Sequence, residues 1–423
     1  MTRTRDALIE LNPWWKGEFE VDYKGRSVYA EIQKFLSQPQ ILALTGLRRV
    51  GKTTLMQKVV ADRLGEGFDP KRILYFSFDE FRETPLREIL QEYSTITETN
   101  LDEGHTLILF DEIQKVDDWD AQLKALYDRY RKKVKIVISG SESLFIRRRS
   151  RETLAGRMFE FKIEPLTFRE HLSFRGIRFQ PIGLYERELE RALREFVLTQ
   201  GFPELVGIAD KAVLRKYINE SILDKVVFRD LPTLVRIRDV GLLRSLLSIL
   251  TEEPGQLLQL PDLAGQLGIS RQTLSSYLSY LEDSFLIRKL YNYSASRRKA
   301  ERKLKKYYPT VVSVDLLFRD DDLHRSRVFE WMVVNQLKAD FFWRDPYKNE
   351  VDVVLVERGA VPVEIKYGKP ELAGIPAFMR KFGVNKGYVV TRDTEGTRKV
   401  DGGTVVLVPA HRFLLGQHEV TRV

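Results

Sequence analysis

The 423-residue sequence contains no cysteine, which excludes disulfide frameworks, cysteine-ligated zinc and thiol chemistry outright. It has only five histidines, His105, His171, His324, His411 and His418. They are scattered, and no two stand at metal-ligand spacing. No apolar run approaches the ~20 residues that span a bilayer. The opening stretch MTRTRDALIELNPWW lacks the apolar core of a secretory signal. Low-complexity tracts and internal repeats are also missing. These absences lead us to expect a cytoplasmic protein without a membrane partner. What the chain has is charge: 30% of residues are charged against 43% hydrophobic, with a formal net charge of +9. A basic balance favours an anionic partner, nucleic acid first. The length is too great for one core, so two to four domains are expected.

From Gln40 to Glu164 short apolar runs alternate with amphipathic stretches: ILALT, ILYFSF, TLILF, KIVIS and MFEFKI. That alternation is the signature of a parallel α/β sheet. Between two of the runs, VDDWDAQLKALYDRY places Trp119, Leu123, Leu126 and Tyr130 on one helical face. Pro165 marks a change of character. We expect residues 1–165 to form one domain with an N-terminal arm and 166–235 to be mostly helical, interrupted by QGFPEL. Residues 236–314 should form a winged helix and 315–423 a second α/β domain. The winged helix is read from LLQLPDLAGQLGISRQTLSSYLSYLEDSFLIRKL: a short helix, a turn at Gly268, Ser270 as N-cap, a second helix, then a strand.

GLRRVGKT, Gly46 to Thr53, satisfies G-x-x-x-x-G-K-[ST] between a strand and a helix. Gly46 and Gly51 let the backbone curl so that N–H groups face phosphate oxygens, and the helix N-terminus adds favourable potential. Lys52 reaches the β and γ phosphates, the Thr53 hydroxyl joins the Mg²⁺ shell, and Arg49 and Thr54 complete the ATP cradle. Asp111, ending the apolar strand TLILF, is placed to hold Mg²⁺ through water, and Glu112 to orient the attacking water; the alternative is an acid pair that caps the next helix. Ser139 or Ser141 reads as a γ-phosphate sensor or as a turn cap. Arg157 reads as an arginine finger for a neighbouring subunit or as a surface ion pair. Trp14 or Trp15 either stacks on adenine or anchors the N-terminal arm.

Two further stretches carry chemistry. NEVDVVLVERGAVPVEIKYG reads as a hairpin that brings Asp352 to Glu364, with Lys366 on the same face as Glu364. Carboxylates so paired hold Mg²⁺, or Mn²⁺, for phosphodiester cleavage. SRRKAERKLKKYYP reads as a basic wing for DNA, through Arg297, Arg298, Lys299, Arg302, Lys303, Lys305 and Lys306. Tyr307 and Tyr308 are placed to stack on an exposed base. The second helix presents Arg271, Gln272, Ser275 and Ser276, then Glu282 and Asp283, which suits backbone and shape contacts over base readout.

TGLRRVGKTTL, FDEIQ, ISGSES, LAGR with EPLTFREH, and GFPEL, in that order, resemble a family of archaeal and bacterial AAA+-like ATPases. That family carries a C-terminal domain with a restriction-endonuclease-like core. The resemblance implies a P-loop NTPase sheet of the AAA+/ASCE type, with an added strand between the two Walker strands, followed by a helical lid. It implies that Gly201 and Pro203 approach the base. The tail is similar to the PD-(D/E)xK fold, and Glu330 would be its helical acid; Asn349–Glu350 departs from the small loop often found before the Asp. Archaeal Holliday-junction resolvases share that fold. The expected function is an ATP-hydrolysing DNA-remodelling motor on branched DNA such as Holliday junctions, helicase-like in branch migration. A homo-oligomer, such as a ring, is implied if Arg157 acts in trans. The alternatives are an ATP-gated metal-dependent endonuclease in repair or defence, and a nucleotide-dependent signalling switch.

Overall fold

The computed structural model describes residues 3–17, 19–141, 153–235, 237–294, 296, 304–356, 359–370, 372 and 374–416. The chain divides into two compact units, Met1–Pro165 and Leu166–Val423.

In the first unit the five apolar runs become five strands: β1 (Ile41–Thr45), β2 (Ile73–Ser77), β3 (Thr106–Asp111), β4 (Val134–Gly140) and β5 (Met158–Lys162). All pair in parallel, in the order β2-β3-β4-β1-β5. The strand β4 therefore lies between β1 and β3, as the P-loop resemblance implies. The central strands β1 and β3 are buried along their whole length, which is why they read as unbroken apolar runs. The helix Trp119–Tyr130 buries Trp119, Leu123 and Leu126, the face read from the sequence, and Tyr130 packs at its edge.

The N-terminal arm is held by side chains. Asn12 donates to the carbonyls of Leu8 and Tyr75, both at 2.8 Å, and accepts from the Tyr75 amide at 2.7 Å. The indole nitrogens of Trp14 and Trp15 both donate to the carbonyl of Ile73, at 3.1 and 2.9 Å. These tryptophans anchor the arm to β2.

The second unit begins with helices Phe168–Phe174 and Glu186–Thr199, continues through π-helical turns over Tyr217–Leu223 and Lys225–Asp230, and then reaches the segment read as a winged helix. Its parts are the helices Val240–Glu252, Leu260–Gln266 and Arg271–Asp283, with strands β6 (Gln256–Leu258), β7 (Ile287–Asn292) and β8 (Lys305–Pro309). The Ser270 hydroxyl caps the third helix, accepting from the Thr273 amide at 3.0 Å. The wing sheet does not stop at residue 314. Strand β9 (Phe341–Arg344) pairs in parallel with β7, and β10 (Glu350–Val351) pairs with β9, giving the order β10-β9-β7-β8-β6.

The tail forms a third sheet from β11 (Val353–Val356), β12 (Ala360–Lys366), β13 (Lys386–Thr391), β14 (Gly396–Val400) and β15 (Gly403–Pro409), ordered β11-β12-β13-β15-β14. The expected hairpin is present, with Val353 opposite Val363. The helix Asp322–Gln336 covers one face of this sheet, and Gly374–Phe382 packs beside β10 and β12. Gly374 stands so close to β10 that an added Cβ would lie 1.6 Å from the Glu350 carbonyl oxygen. One core cluster runs from Phe168 and Phe196 to Val390 and Phe413, so the segment boundaries read at 235 and 314 fall inside a single packed body.

Candidate functional site

The P-loop follows β1 and is set by sterics on its first glycine. Gly46 has φ +153, and a Cβ there would meet the Ile163 carbonyl oxygen at 2.1 Å. Gly51 has φ +94 and precedes the helix Lys52–Gly65. Arg49, also in the left-handed region, makes the turn between them. The helix ladder opens with the Leu55 amide on the Gly51 carbonyl at 3.0 Å, so the end that includes Thr53 and Thr54 presents its first-turn amides outside the ladder. Lys52 is buried and donates to the carbonyls of Gly46 (3.1 Å) and Leu47 (2.9 Å). Beneath the loop, Arg26 donates to the carbonyls of Val50 and Glu164, both at 2.7 Å. No motif pointed to Arg26. It ties the loop to the end of β5.

Asp111, at the end of β3, accepts from the Thr53 hydroxyl at 2.7 Å, the Tyr75 hydroxyl at 2.8 Å and the Ser139 hydroxyl. Tyr75 is a second residue the sequence reading missed; it lies on β2, the strand paired with β3. Burial first, then the charge of Asp111, pushes its phenol pKa up, so it stays a donor. Glu112 adopts the left-handed region at φ +54, uncommon for a non-glycine residue. Its amide donates to Ser139 Oγ at 3.1 Å. Its carboxylate accepts from Gln114 Nε2 at 2.6 Å and from Ser141 Oγ at 3.1 Å. Both candidate serines therefore touch the acid pair, Ser139 on Asp111 and Ser141 on Glu112.

Arg157 pairs with Asp128 of its own chain, Nε to Oδ1 at 2.8 Å. Gly201 and Pro203 belong to the second unit; Gly201 accepts from the Leu166 amide at 2.7 Å and Pro203 opens a short 3₁₀ turn. Arg297, Arg298, Lys299, Arg302 and Lys303 lie outside the described residues.

Lys305 and Lys306 diverge. Lys305 is half-buried, with its ammonium 5.6 Å from the Tyr291 ring centroid. Lys306 points inward and is 4% exposed, so it cannot lie on a phosphate backbone. Its ammonium stands 2.6 Å from Glu350, 3.6 Å from Glu330 and 3.8 Å from Asp352. Tyr307 and Tyr308 are buried too, which corrects the expectation that they stack on bases. The Tyr308 hydroxyl donates to Glu330 at 2.5 Å. Alternation along β8 puts Lys306 and Tyr308 on one face and Lys305 and Tyr307 on the other, and from Lys306 onward both faces are covered.

The tail's acids are brought together as expected, yet as a metal site they do not fit. Glu330, Asp352 and Glu350 gather around the Lys306 ammonium. Glu364 pairs with Lys366 at 2.8 Å. Among the described residues no group of three or more acidic or histidine side chains is arranged to hold a metal ion. Burial, followed by the charges of Glu330 and Glu364, raises the Asp352 pKa well above the usual carboxylate range. Burial also raises that of Glu364, against the opposing pull of Lys366.

Residues 38–172 match the family profile described as an AAA domain, and residues 190–312 match one described as a domain of unknown function (DUF8612). The first unit contains an AAA-type P-loop ATPase domain. Over 287 residues the chain is 28% identical to an uncharacterized protein of Methanocaldococcus jannaschii, covering 65% of this chain and 62% of that one. It is 28% identical to an uncharacterized protein of Haemophilus influenzae over 62% of this chain and 65% of the relative. The matches thus span under two thirds of either relative. A Mycobacterium tuberculosis protein is 26% identical over 84% of this chain and 76% of its own length. Among solved structures, the Thermotoga maritima RuvB Holliday junction branch migration motor aligns with 62% of this chain and 89% of its own, at 16% identity and a TM-score of 0.33. A score that low bears on nothing further here. No helix among the described residues is long and apolar enough to cross a membrane.

Proposed function

We propose that the chain is an ATP-hydrolysing DNA-remodelling motor whose second unit grips the DNA backbone. The observation that carries the ATPase half is the joined network of Thr53, Asp111, Ser139, Glu112, Ser141 and Gln114 at the head of the P-loop helix. Lys52 and the amides of the first helical turn would hold the ATP phosphates; Thr53 and Asp111 would hold Mg²⁺, which when bound supplies charge neutralisation. Glu112 is the base that orients water and takes its proton. Ser141 and Gln114 fix the direction of its carboxylate, so hydrolysis depends on a preset geometry. In an oligomer, Arg157 would exchange Asp128 for a neighbour's phosphate.

The DNA half rests on the winged helix. A groove of about 600 Å³ runs between the helix Arg271–Asp283 and β8, lined by Arg271, Ser275, Ser279, Lys289 and Lys305 among others. It combines donors and cations suited to phosphate contacts. Glu282, which pairs with Lys289 at 2.7 Å, lines the same groove. That moderates the groove's charge and favours shape over base reading. The tail's order of helix, hairpin, helix and strand suits a PD-(D/E)xK-like platform, which makes branched DNA the substrate class to test first.

The test is ATP turnover and DNA binding with four-way, duplex and single-stranded DNA across a salt series. Turnover stimulated by DNA, with affinity falling steeply as salt rises and weakened in Arg271→Ala/Lys305→Ala, supports the proposal. Turnover indifferent to every DNA, with no salt-sensitive binding, overturns the DNA half in favour of a nucleotide switch.

A further inference from the structure

We propose that Lys306 is the permanent cation of the buried acid cluster in the second unit, occupying the place of a divalent metal, so that this site neither binds metal nor cleaves nucleic acid. The three acids come from separate elements: Glu330 from the helix Asp322–Gln336, Glu350 from β10 and Asp352 from the turn into β11. They share one partner, the Lys306 ammonium, at 3.6, 2.6 and 3.8 Å. The ammonium stands at the point the three acids share, within hydrogen-bond distance of Glu350. Here the point holds a side chain that the chain itself supplies.

Lys306 cannot withdraw easily. Strand β8 is interior to its sheet, with Lys306 in register with Leu290 of β7 on one side and Leu257 of β6 on the other. Moving the ammonium out means breaking two strand pairings. Retraction of the side chain alone is also blocked, because the residue is 4% exposed and its ammonium lies 5.6 Å from the Phe342 ring centroid. Gly255 closes the neighbouring side, where a Cβ would lie 3.2 Å from Glu330 and 3.0 Å from the Tyr308 ring.

Two further cations stand against these acids. Arg344 adds a second contact to Glu350 at 3.2 Å, and Lys366 neutralises Glu364 at 2.8 Å. Four carboxylates, Glu330, Glu350, Asp352 and Glu364, thus face three cations, Lys306, Arg344 and Lys366. Burial opposes the charge of Lys306, but Tyr308, Glu330, Asp352 and Glu350 outweigh it and hold its pKa well above the ordinary lysine value.

One oxygen shows what the cluster would do if the lysine were gone. Glu364 Oε2 is buried without a hydrogen-bond partner. With the ammonium removed, Asp352, Glu330 and this oxygen would have a shared need for a cation.

The experiment uses the full chain without nucleotide, in EDTA and then in Mn²⁺, followed by thermal melting and by titration of free Mn²⁺. For the native chain we expect no Mn²⁺-dependent rise in the melting midpoint that Asp352→Asn removes, and no bound Mn²⁺ that Asp352→Asn releases. Lys306→Met should melt lower in EDTA and recover in Mn²⁺, binding it about tenfold or more tightly than the native chain; Lys306→Met/Asp352→Asn should not recover. A native chain that binds Mn²⁺ through Asp352, or that nicks DNA in Mn²⁺ and stops when Asp352→Asn is made, overturns the proposal. Should Lys306→Met fail to fold, the native titration alone decides. The outcome is independent of whether DNA stimulates ATP turnover.

Discussion

His171 gives the second unit an acid limit that can be worked from the structure. The side chain is fully buried, its ring 5.4 Å from that of Phe196 at 67°, and neither ring nitrogen has a hydrogen-bond partner among the described residues. Burial, assisted by the charge of Arg175, pushes its pKa down to about 4. In the unfolded chain the same imidazole titrates near its ordinary value of about 6.5. Between those values the unfolded state binds a proton that the folded state refuses, so stability falls as pH falls from about 6.5 to about 4. The full loss is about 3 kcal/mol, and at pH 5 it has reached about 2 kcal/mol. His171→Phe removes the titration and keeps a ring against Phe196. Urea unfolding of both proteins at pH 7.5 and 5, followed by hydrogen exchange in Phe168–Phe174, isolates the effect from other carboxylates and histidines. The native chain should lose about 2 kcal/mol more than the variant on acidification. Equal losses would show that His171 takes up its proton inside the fold, and the reasoning would fail.

The catalytic assignments separate binding from chemistry. Lys52→Ala should abolish ATP binding in a fluorescent-nucleotide titration, whereas Glu112→Gln should bind normally and slow steady-state turnover by about 10²–10⁴-fold; parental turnover in Glu112→Gln would remove it as the base. Arg26→Ala strips two charge-assisted bonds from the loop's underside and should destabilise the first unit by about 3 kcal/mol in denaturant titration, lowering nucleotide affinity with it. Gly374→Ala forces a methyl onto the Glu350 carbonyl and should cost at least about 1–3 kcal/mol of second-unit stability in the same assay, leaving nucleotide binding untouched.

The nucleotide site was legible because its signals are local. A phosphate loop needs glycines a fixed distance apart, a strand before it and a helix after it, and all of these lie within about 25 residues. The acid pair at Asp111 and Glu112 was legible for the same reason. Arg26 and Tyr75 were not, because each reaches the site from an element whose placement depends on sheet order. The basic run ending at Lys306 misled for a different reason. Seven cations in ten residues read as a basic wing for DNA, but the run ends in a strand whose residues from Lys306 to Pro309 are all buried. Local composition gives the average environment of a segment, and register decides the individual residue. The hairpin acids were found, but their cation was not, because it comes from a strand some 50 residues earlier in a different predicted domain.

That misplaced cation changes how force could pass through the second unit. Reading the winged helix and the tail as separate domains allows each to move about a linker near residue 314. The structure puts three kinds of tie across that point. β7 pairs with β9, Trp331 donates to the Pro309 carbonyl at 2.8 Å, and Lys306 binds Glu330, Glu350 and Asp352, all beyond residue 314. Separating the two would strand a buried ammonium among carboxylates, at about 3–5 kcal/mol, before any loss of apolar contact is counted. A nucleotide-driven movement that reaches the winged helix therefore carries the tail with it. Any DNA held by the groove at Arg271 and Lys305 is moved by a single body, and the acid cluster is a joint of that body.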